Sequence, residues 1–408
     1  MLHEVPPTAG LPLTWMDLTG IRREPDLDIA LAAFLGVEAA SITCSGTASL
    51  IVALEALKRR SRRRTVVIPA YTCPLVPLAV AHVGLSVSVC DVSAGRFDFD
   101  TEGLARACDA DTLAVIPMHL GGVVANLEPV LEIAERAGAC VLEDAAQALG
   151  ATWHGRPVGT VGEIGCYSLS RGKGLTLYEG GFCVARDDEL RAAIARTADE
   201  LMPPRAGIEF LRIVQLIGYR LLYNPVGLFV AYGMPLRWAL ARGNLLRAVG
   251  DEPRSAIPLH RVSSWRRRIG AAALRRLPAA IEANASRGRL RAAKLREIPG
   301  IRVLDELPET TGTWPFLTVL ADSSEVRDRV LARLWGNGLG VSRLFIHDLT
   351  RYQYLDKVVP RTAVPNARAV AEQSFTVSNS DYLSEEEFHR IREIIAHSVS
   401  DHRRATPS

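Results

Sequence analysis

One acid and one lysine draw attention because each follows a short apolar run. Residues 139–142 lead to Asp144, and residues 164–168 lead into the loop that carries Lys173. Ligands of open α/β sheets bind just outside the carboxyl ends of the strands, so an acid and a lysine at two such ends face one ligand. Pyridoxal phosphate needs this pair, the lysine for covalent attachment and the carboxylate for the pyridinium nitrogen.

Three motifs surround the two residues: DAAQ at 144–147, YSLSRGK at 167–173 and EGG at 179–181. Their order and spacing resemble the DegT/DnrJ/EryC1/StrS family of fold-type-I, pyridoxal-phosphate-dependent sugar aminotransferases. The family pattern is an Asp-Ala-Ala-(Gln/His) turn, a Ser-Phe-x-x-x-Lys loop and a Glu-Gly-Gly hairpin. The resemblance covers roughly residues 25–399 and is loose after residue 203.

The resemblance assigns roles around the cofactor ring. It makes Lys173 the attachment site, Asp144 the partner of the ring nitrogen and Gln147 a hydrogen-bond partner of the ring hydroxyl. Judged without the resemblance, Asp144 is also a suitable helix N-cap. That interpretation does not explain Lys173, so the pair favours the cofactor.

The turn SGTAS at 45–49 precedes an apolar helix. Free N–H groups at a helix start form an anion site, although the same turn could be an ordinary N-cap. The family holds the cofactor phosphate at this place. The resemblance therefore implies phosphate binding by Gly46, Thr47 and Ala48, helped by Ser168.

Four further residues are candidates for the substrate side of the site: Tyr71, His119, Arg261 and His347. His119 follows a strand, where a histidine can equally be structural. Arg261 belongs to a segment that matches the family's Asn-x-Arg-Met-Ser. His347 lies where the family carries a loop that lines the substrate pocket.

Three departures from the family leave parts of this site open. Cys73 stands where the family has an aromatic ring that packs against the cofactor, so either Tyr71 or another residue takes that role, or the cofactor ring is held less tightly on that face. Leu259 replaces the asparagine that reaches the neighbouring subunit's phosphate. Residues 344–348 read LFIHD rather than Tyr-x-Pro-Leu-His, so the family's substrate cannot be carried over.

Composition argues against several classes of protein. The chain has 408 residues, 48% of them apolar, and a net charge of only +3, which does not suggest a nucleic-acid partner. The seven cysteines are odd in number and lack C-x-x-C pairs, which indicates reduced thiols and no metal site. The N-terminus does not read as a signal peptide, so we expect a cytoplasmic protein.

Apolar runs at 65–68, 85–90, 112–117 and 139–142 alternate with helical stretches. This alternation predicts an α/β fold with a mostly parallel sheet covered on both faces. From residue 301 the pattern changes to a small α+β unit with an antiparallel sheet. We predict a large cofactor-binding domain at 1–258, and a linking helix at 265–295 with the small domain at 259–408.

Residues 201–250 mix leucines and aromatic residues with arginines, and prolines at 225 and 235 are expected to break the segment. Neither apolar piece reaches the roughly 20 residues that span a bilayer. One interpretation is a pair of helices that pack on the large domain or a partner subunit. The other is a peripheral contact with a membrane surface.

The resemblance implies an aminotransferase that moves an amino group from an amino acid, by analogy glutamate, to a keto-sugar that is usually nucleotide-linked. Such enzymes serve cell-surface polysaccharide or secondary-metabolite biosynthesis, and a homodimer is expected by analogy. A family dehydratase would carry histidine in place of Lys173. Two further hypotheses stay open: an enzyme acting on a lipid-linked or non-sugar ketone, and a non-catalytic regulatory protein at a membrane.

Overall fold

The computed structural model describes residues 2–19, 25–253 and 256–405. Its strands are β1 Ser41–Thr43, β2 Thr65–Pro69, β3 Ser86–Cys90, β4 Thr112–Val115, β5 Cys140–Asp144, β6 Thr152–Trp153, β7 Arg156–Pro157, β8 Ile164–Ser168, β9 Gly181–Ala185, β10 Ile301–Val303, β11 Thr310–Thr311, β12 Phe316–Ala321, β13 Val341–Ser342 and β14 Ser374–Ser378. Its helices are α1 Trp15–Thr19, α2 Leu27–Leu35, α3 Gly46–Arg60, α4 Leu75–His82, α5 Thr101–Ala107, α6 Glu128–Ala137, α7 Asp188–Leu201, α8 Ala206–Leu222, α9 Pro225–Leu228, α10 Met234–Ala241, α11 Leu245–Val249, α12 Ser264–Leu274, α13 Leu277–Arg296, α14 Ser324–Leu334, α15 Pro365–Gln373 and α16 Glu385–Ala405.

A seven-stranded sheet forms the centre of the large lobe, in the order β1-β9-β8-β5-β4-β2-β3. Neighbours from β8 to β3 pair in parallel, whereas β9 is antiparallel to both β8 and β1. Every residue of β4 and β8 is buried, as expected for strands covered on both faces. The predicted α/β class with a mostly parallel sheet is confirmed, and the structure adds the antiparallel edge formed by β9 and β1.

A second sheet, β10-β12-β14-β13, is antiparallel throughout and forms the small lobe. Its hydrophobic core includes Trp314, Phe375 and Phe388. Val5 from the N-terminal segment packs in the same cluster, and its N–H donates to the Gly338 carbonyl oxygen at 2.8 Å. The N-terminal segment thus contacts the small lobe, although the predicted domain bounds, which stay a prediction, assign it to the large one.

Two helix predictions need correction. The single linking helix expected at 265–295 is two helices, α12 and α13, because Pro278 lacks a backbone N–H and is accommodated only in a first turn. Conversely, Pro235 does not break the segment before it. A π-helical turn at Phe229–Gly233 joins α9 to α10 and accommodates the proline at the start of α10.

A buried ion pair ties α12 and α8 to the hairpin before β9. The Arg266 guanidinium donates to both carboxylate oxygens of Glu209, at 2.6 and 2.7 Å, and to the Leu177 carbonyl oxygen at 3.1 Å. Burial alone would raise the pKa of Glu209, but the hydrogen bonds from Arg266 and its neighbours outweigh it and hold that pKa well below its usual range. The pair therefore fixes the loop between β8 and β9 through the hydrogen bond from Arg266 to Leu177.

We expect Arg266→Met to lower the free energy of unfolding by about 3–5 kcal/mol, because it leaves the Glu209 carboxylate buried without the guanidinium that neutralises it. Urea denaturation measures this change, and Arg268→Met, at an exposed position on the same helix, is the control. Since the pKa of Glu209 is depressed, the pair's contribution is full above its unfolded value near ~4.3 and is lost at lower pH. A loss below about 1 kcal/mol at neutral pH would contradict the assignment.

Candidate active site

The lysine loop connects β8 to β9 and folds back on itself. The Lys173 N–H donates to the Ser170 carbonyl oxygen at 3.2 Å, and the Leu177 N–H to the Leu169 carbonyl oxygen at 2.8 Å. The N-terminal segment crosses this loop: Gly172 has φ +73°, and a Cβ there would lie 2.5 Å from Thr8 Oγ1. The loop is thus held by its own hydrogen bonds and by contact with the N-terminal segment, and Lys173 lines a cavity.

Asp144 ends β5, the parallel neighbour of β8, so it and the lysine loop leave the sheet at the same edge. Its carboxylate is buried and accepts the Ala146 N–H at 2.9 Å. Burial raises the pKa of Asp144, opposed by that N–H and by the positive charge of Lys173. Burial lowers the pKa of Lys173, opposed by the negative charge of Asp144. The acid and the lysine therefore share one electrostatic environment.

Gln147 lines the same cavity as Lys173. The Gly121 N–H donates to Gln147 Oε1 at 2.7 Å, and this contact orients the side-chain amide. Because the oxygen is engaged there, the NH₂ end is the part left to donate elsewhere. An amide fixed in this way can hydrogen-bond an acceptor oxygen of a bound ligand.

The start of α3 lies against the end of β8. A Cβ at Gly46 would be only 2.8 Å from Ser168 Cβ, so the close approach requires glycine. Ser45 caps the helix by accepting the Ala48 N–H at 3.0 Å. The N–H groups of Gly46 and Thr47, in the first turn, have no intrahelical acceptor and carry the positive end of the helix dipole. Donation from Ala48 to an anion would require Ser45 to release its N–H.

Cys73 lies close enough to Lys173 and Asp144 for both charges to act on its thiol. Burial raises the pKa of Cys73 to about 12, so the thiol is neutral and is not a counter-ion for the lysine. The residue that replaces the family's aromatic ring is thus within range of the charges of Lys173 and Asp144, although it does not line the cavity.

The structure does not bring Tyr71 to the cavity. Its side chain is fully buried and packs between Phe97, with ring centroids 5.4 Å apart, and Phe345, at 5.5 Å. Its hydroxyl lies 3.4 Å from Ser374 Oγ. Tyr71 thus packs in the core behind the site.

His119 is buried and both its ring nitrogens are engaged. The Ala125 N–H donates to Nδ1 at 3.1 Å, so Nε2 carries the proton and donates to the Glu143 carboxylate at 3.1 Å. That carboxylate also accepts the N–H groups of Gly159, Val161 and Gly162 at 2.6–2.8 Å. The geometry favours the structural interpretation of His119.

Arg261 and His347 also lie away from the cavity walls. The Arg261 side chain is 56% exposed and pairs with Asp199 at 3.3 Å. His347 is half-buried and packs edge-on against the Tyr352 ring. Four residues before it, directly after β13, Arg343 does line the cavity.

The cavity has a volume of about 590 Å³ and lies between the two lobes. Its polar and aromatic lining, drawn from separate parts of the chain, includes Gln147, Arg171, Lys173, Tyr223, Tyr232, Arg276, Asn284, Arg343, Asp381 and Tyr382. The sequence does not single out most of these residues. Arg343 carries a usable signal, since a charged residue there directly follows the short run LGVS at 339–342, which is typical of a strand.

The fold and the grouped lysine, acid and helix start define a fold-type-I transferase site. The DegT/DnrJ/EryC1/StrS aminotransferase family model matches residues 14–207 and 260–396. The chain belongs to this family. Residues 208–259 lie between the two matched segments.

Curated relatives match over part of their length. GDP-perosamine synthase of Caulobacter vibrioides is 31% identical over 47% of this chain and 51% of that protein. Protein MosB of Rhizobium meliloti is 33% identical over 42% of this chain and 34% of that protein. The chain therefore spans about a third to a half of the length of these relatives.

Solved structures match over nearly the whole chain. A putative sugar aminotransferase of Streptococcus pneumoniae superimposes with a TM-score of 0.74 at 18% identity, covering 98% of both chains. The aminotransferase PseC of Helicobacter pylori gives 0.76 at 14% identity, covering 98% of this chain and 100% of that one. At these identities the likeness shows the fold.

The residues at the site fit pyridoxal phosphate, the cofactor of this family. Lys173 would supply the amine for attachment, Asp144 the carboxylate for the ring nitrogen and the start of α3 the N–H groups for the phosphate. The approach of Gly46 to Ser168 supplies a cradle that any larger residue would fill.

Proposed function

We propose that this protein is a pyridoxal-phosphate-dependent aminotransferase. It moves an amino group from an amino acid, glutamate by family analogy, to a keto-sugar, and nucleotide-linked sugars are the first acceptors to test. The observation that carries the proposal is the grouping of Lys173, Asp144 and Gln147 beside the start of α3. A binding or regulatory protein has no need of a buried lysine opposed by a buried acid.

When bound, the cofactor supplies an electron-accepting ring and an aldehyde carbon. Lys173 would hold it covalently and, once displaced by the donor, would accept the proton from the donor's α-carbon. Its burial helps, because a lowered pKa leaves more of the amine unprotonated at neutral pH. Asp144 would face the ring nitrogen and Gln147 the ring hydroxyl, while the start of α3 (Gly46, Thr47 and Ala48) and Ser168 would bind the phosphate.

The names of relatives support an acceptor of the keto-sugar class. One relative, from Acidithiobacillus ferrooxidans, is a UDP-N-acetyl-3-dehydro-alpha-D-glucosamine 3-aminotransferase that is 34% identical over 40% of this chain. Another, from Micromonospora echinospora, is an L-glutamine:2-deoxy-scyllo-inosose aminotransferase that is 38% identical over 39% of the chain. We therefore propose glutamate and glutamine as the donors to compare first.

The cofactor-loaded protein, given one amino acid at a time without an acceptor, should release one equivalent of the matching 2-oxo acid per site. We expect this result with glutamate or glutamine, and chromatography of the released acid measures it. A nucleotide-linked keto-sugar added afterwards should then be aminated. Release from none of the common amino acids would exclude the aminotransferase.

A second acceptor class is a ketone carried on a lipid. It is favoured by one observation: Tyr223, Tyr232, Ala248 and Val249, which line the cavity, belong to the apolar segment at 201–250. Amination of a lipid-linked ketone with no turnover of soluble keto-sugars would select this second class.

Assembly and compartment are also proposals. We propose a homodimer, since fold-type-I sites are usually completed at a subunit interface, and a cytoplasmic protein, since the cysteines are free thiols. Leu259 would then leave the phosphate without the asparagine of a neighbouring subunit. Light scattering at several concentrations measures the mass.

A further inference from the structure

The helices of residues 206–241 turn apolar side chains outward. Ten of the fifteen large apolar side chains exposed in the described part of the chain belong to residues 201–250. Exposed apolar surface of this extent marks an interaction site. The segment also lies almost entirely outside the stretches that match the family model, so the family does not explain it.

On α8 the exposed residues form one stripe. Phe210, Leu211, Val214, Leu221 and Leu222 are each between 44% and 68% exposed, and their spacing follows one face of a helix. The other exposed residues of α8 are Ala206 and Gly207, so this whole helix, all of it described, has no exposed charged residue.

A second stripe follows after the break. Val226, Val230, Met234 and Trp238 recur at intervals of four and are each 45–54% exposed. Within residues 225–241, which are all described, the other exposed residues are alanine or proline. Both helices thus reverse the usual amphipathic arrangement of a surface helix.

The charges of this segment are mostly of one sign. Residues 201–250 contain six arginines and one acid, Glu209, which is buried against Arg266. The exposed arginines stand at the ends of the stripes. Arg205 precedes α8, and the guanidinium groups of Arg242 and Arg247 lie 3.8 and 4.6 Å from the Trp238 ring centroid.

We propose that the two stripes dock on an anionic bilayer surface. Apolar and aromatic side chains bordered by arginine are suited to the region between lipid headgroups and acyl chains. A two-fold contact between copies of this chain would instead bring like-charged arginine rims together, which is unfavourable.

The proposed docking is peripheral, because Leu216 and Leu236 on the inner side of the two helices are buried in the protein. No single helix in residues 2–19, 25–253 and 256–405 is long and apolar enough to cross a membrane. The pair Ala206–Leu222 and Pro225–Ala241 passes such a test only when taken together, and it is bent by 120° at the break. The inner side of the same segment lines the cavity through Tyr223 and Tyr232, so docking would place the cavity near the lipid.

Co-sedimentation of the whole 408-residue chain with vesicles tests the proposal. Wild type should pellet with phosphatidylcholine vesicles that contain phosphatidylglycerol. The double variant Phe210→Ser/Val230→Ser should bind them at least about 10-fold more weakly, because two inserted apolar side chains are removed. The control Ile29→Ser/Leu290→Ser, at residues 61% and 64% exposed elsewhere, should bind as wild type does.

Arg242→Gln/Arg247→Gln should weaken binding to the anionic vesicles about 10-fold or more, because two charges near the headgroups are lost. Lys173→Ala should bind vesicles as wild type does. The test of membrane docking is therefore independent of the test of the proposed activity. Wild type that stays in the supernatant would overturn the proposal. So would a wild-type dimer that Phe210→Ser/Val230→Ser converts to monomer without any vesicle binding.

Discussion

Lys173→Ala is expected to lower the rate of 2-oxo acid release by at least about 10³-fold, since a positioned proton carrier alone contributes 10²–10⁴-fold. The variant loses both the group that would attach the cofactor and the amine that would accept a proton from the donor. No other lysine can substitute. The remaining lysines of the chain are Lys58, Lys294 and Lys357, and none of them lines the cavity. Single-turnover kinetics with the cofactor-loaded variant measures the loss.

Rescue by a free amine separates a chemical role from a structural one. Lys173 lines the cavity, so its truncation leaves space that methylamine can enter. Partial recovery that grows with the concentration of unprotonated methylamine supports the assignment. The control Lys357→Ala, at an exposed position, should keep wild-type rates. A Lys173→Ala variant within about tenfold of wild type would contradict the role, since such a change is under ~1.4 kcal/mol.

Asp144→Asn is expected to lower kcat by about 10²–10³-fold, or roughly 3–4 kcal/mol, because it removes the buried charge that would face the cofactor nitrogen. The asparagine is nearly isosteric and can still accept the Ala146 N–H, so the fold should persist. The variant should retain cofactor at its lysine, which separates this effect from that of Lys173→Ala.

The pH dependence gives a second readout for Asp144. Its negative charge raises the pKa of Lys173 against the larger lowering effect of burial. Removing that charge lowers the pKa of the amine further, so the acid limb of the rate profile should move to lower pH. Asp199→Asn, which breaks only the exposed pair with Arg261, should leave both kcat and the limb unchanged. An acid limb that stays in place would argue against direct coupling of the two residues.

The sequence is informative where function depends on short spacing. Asp144 and Gln147 share one turn, and Lys173 closely follows the strand that pairs with β5, so local order fixes their neighbourhood. The alternation of apolar runs with helices likewise predicts the parallel sheet. The antiparallel edge is harder to predict because Ser41 of β1 pairs with Cys183 of β9, far along the chain.

The direction in which a side chain points cannot be predicted from the order and spacing of residues. Tyr71 and Cys73 lie two positions apart, yet the first packs between two aromatic rings and the second comes within range of the charge of Lys173. Arg261 lies on the surface, whereas Arg266, five residues further on, is buried. The sequence alone does not specify which of two neighbouring arginines turns inward.

The tyrosines of the cavity show a second limit. Tyr223 and Tyr232 belong to the helical segment at 201–250, and Tyr382 follows β14. These residues are brought together only by packing of the two lobes, which no local pattern encodes. The apolar composition of α8 and α10 is visible in the sequence, but the outward direction of their stripes requires the structure.

Attachment of the cofactor to Lys173 underlies the whole proposed activity. Borohydride reduction of the protein loaded with pyridoxal phosphate, followed by mass spectrometry of its peptides, measures that attachment. We expect the cofactor on the peptide that contains Lys173, absent from those with Lys58, Lys294 and Lys357, and lost when glutamate or glutamine is added before reduction. Label on another lysine, or none on the Lys173 peptide, would contradict the assignment of Lys173.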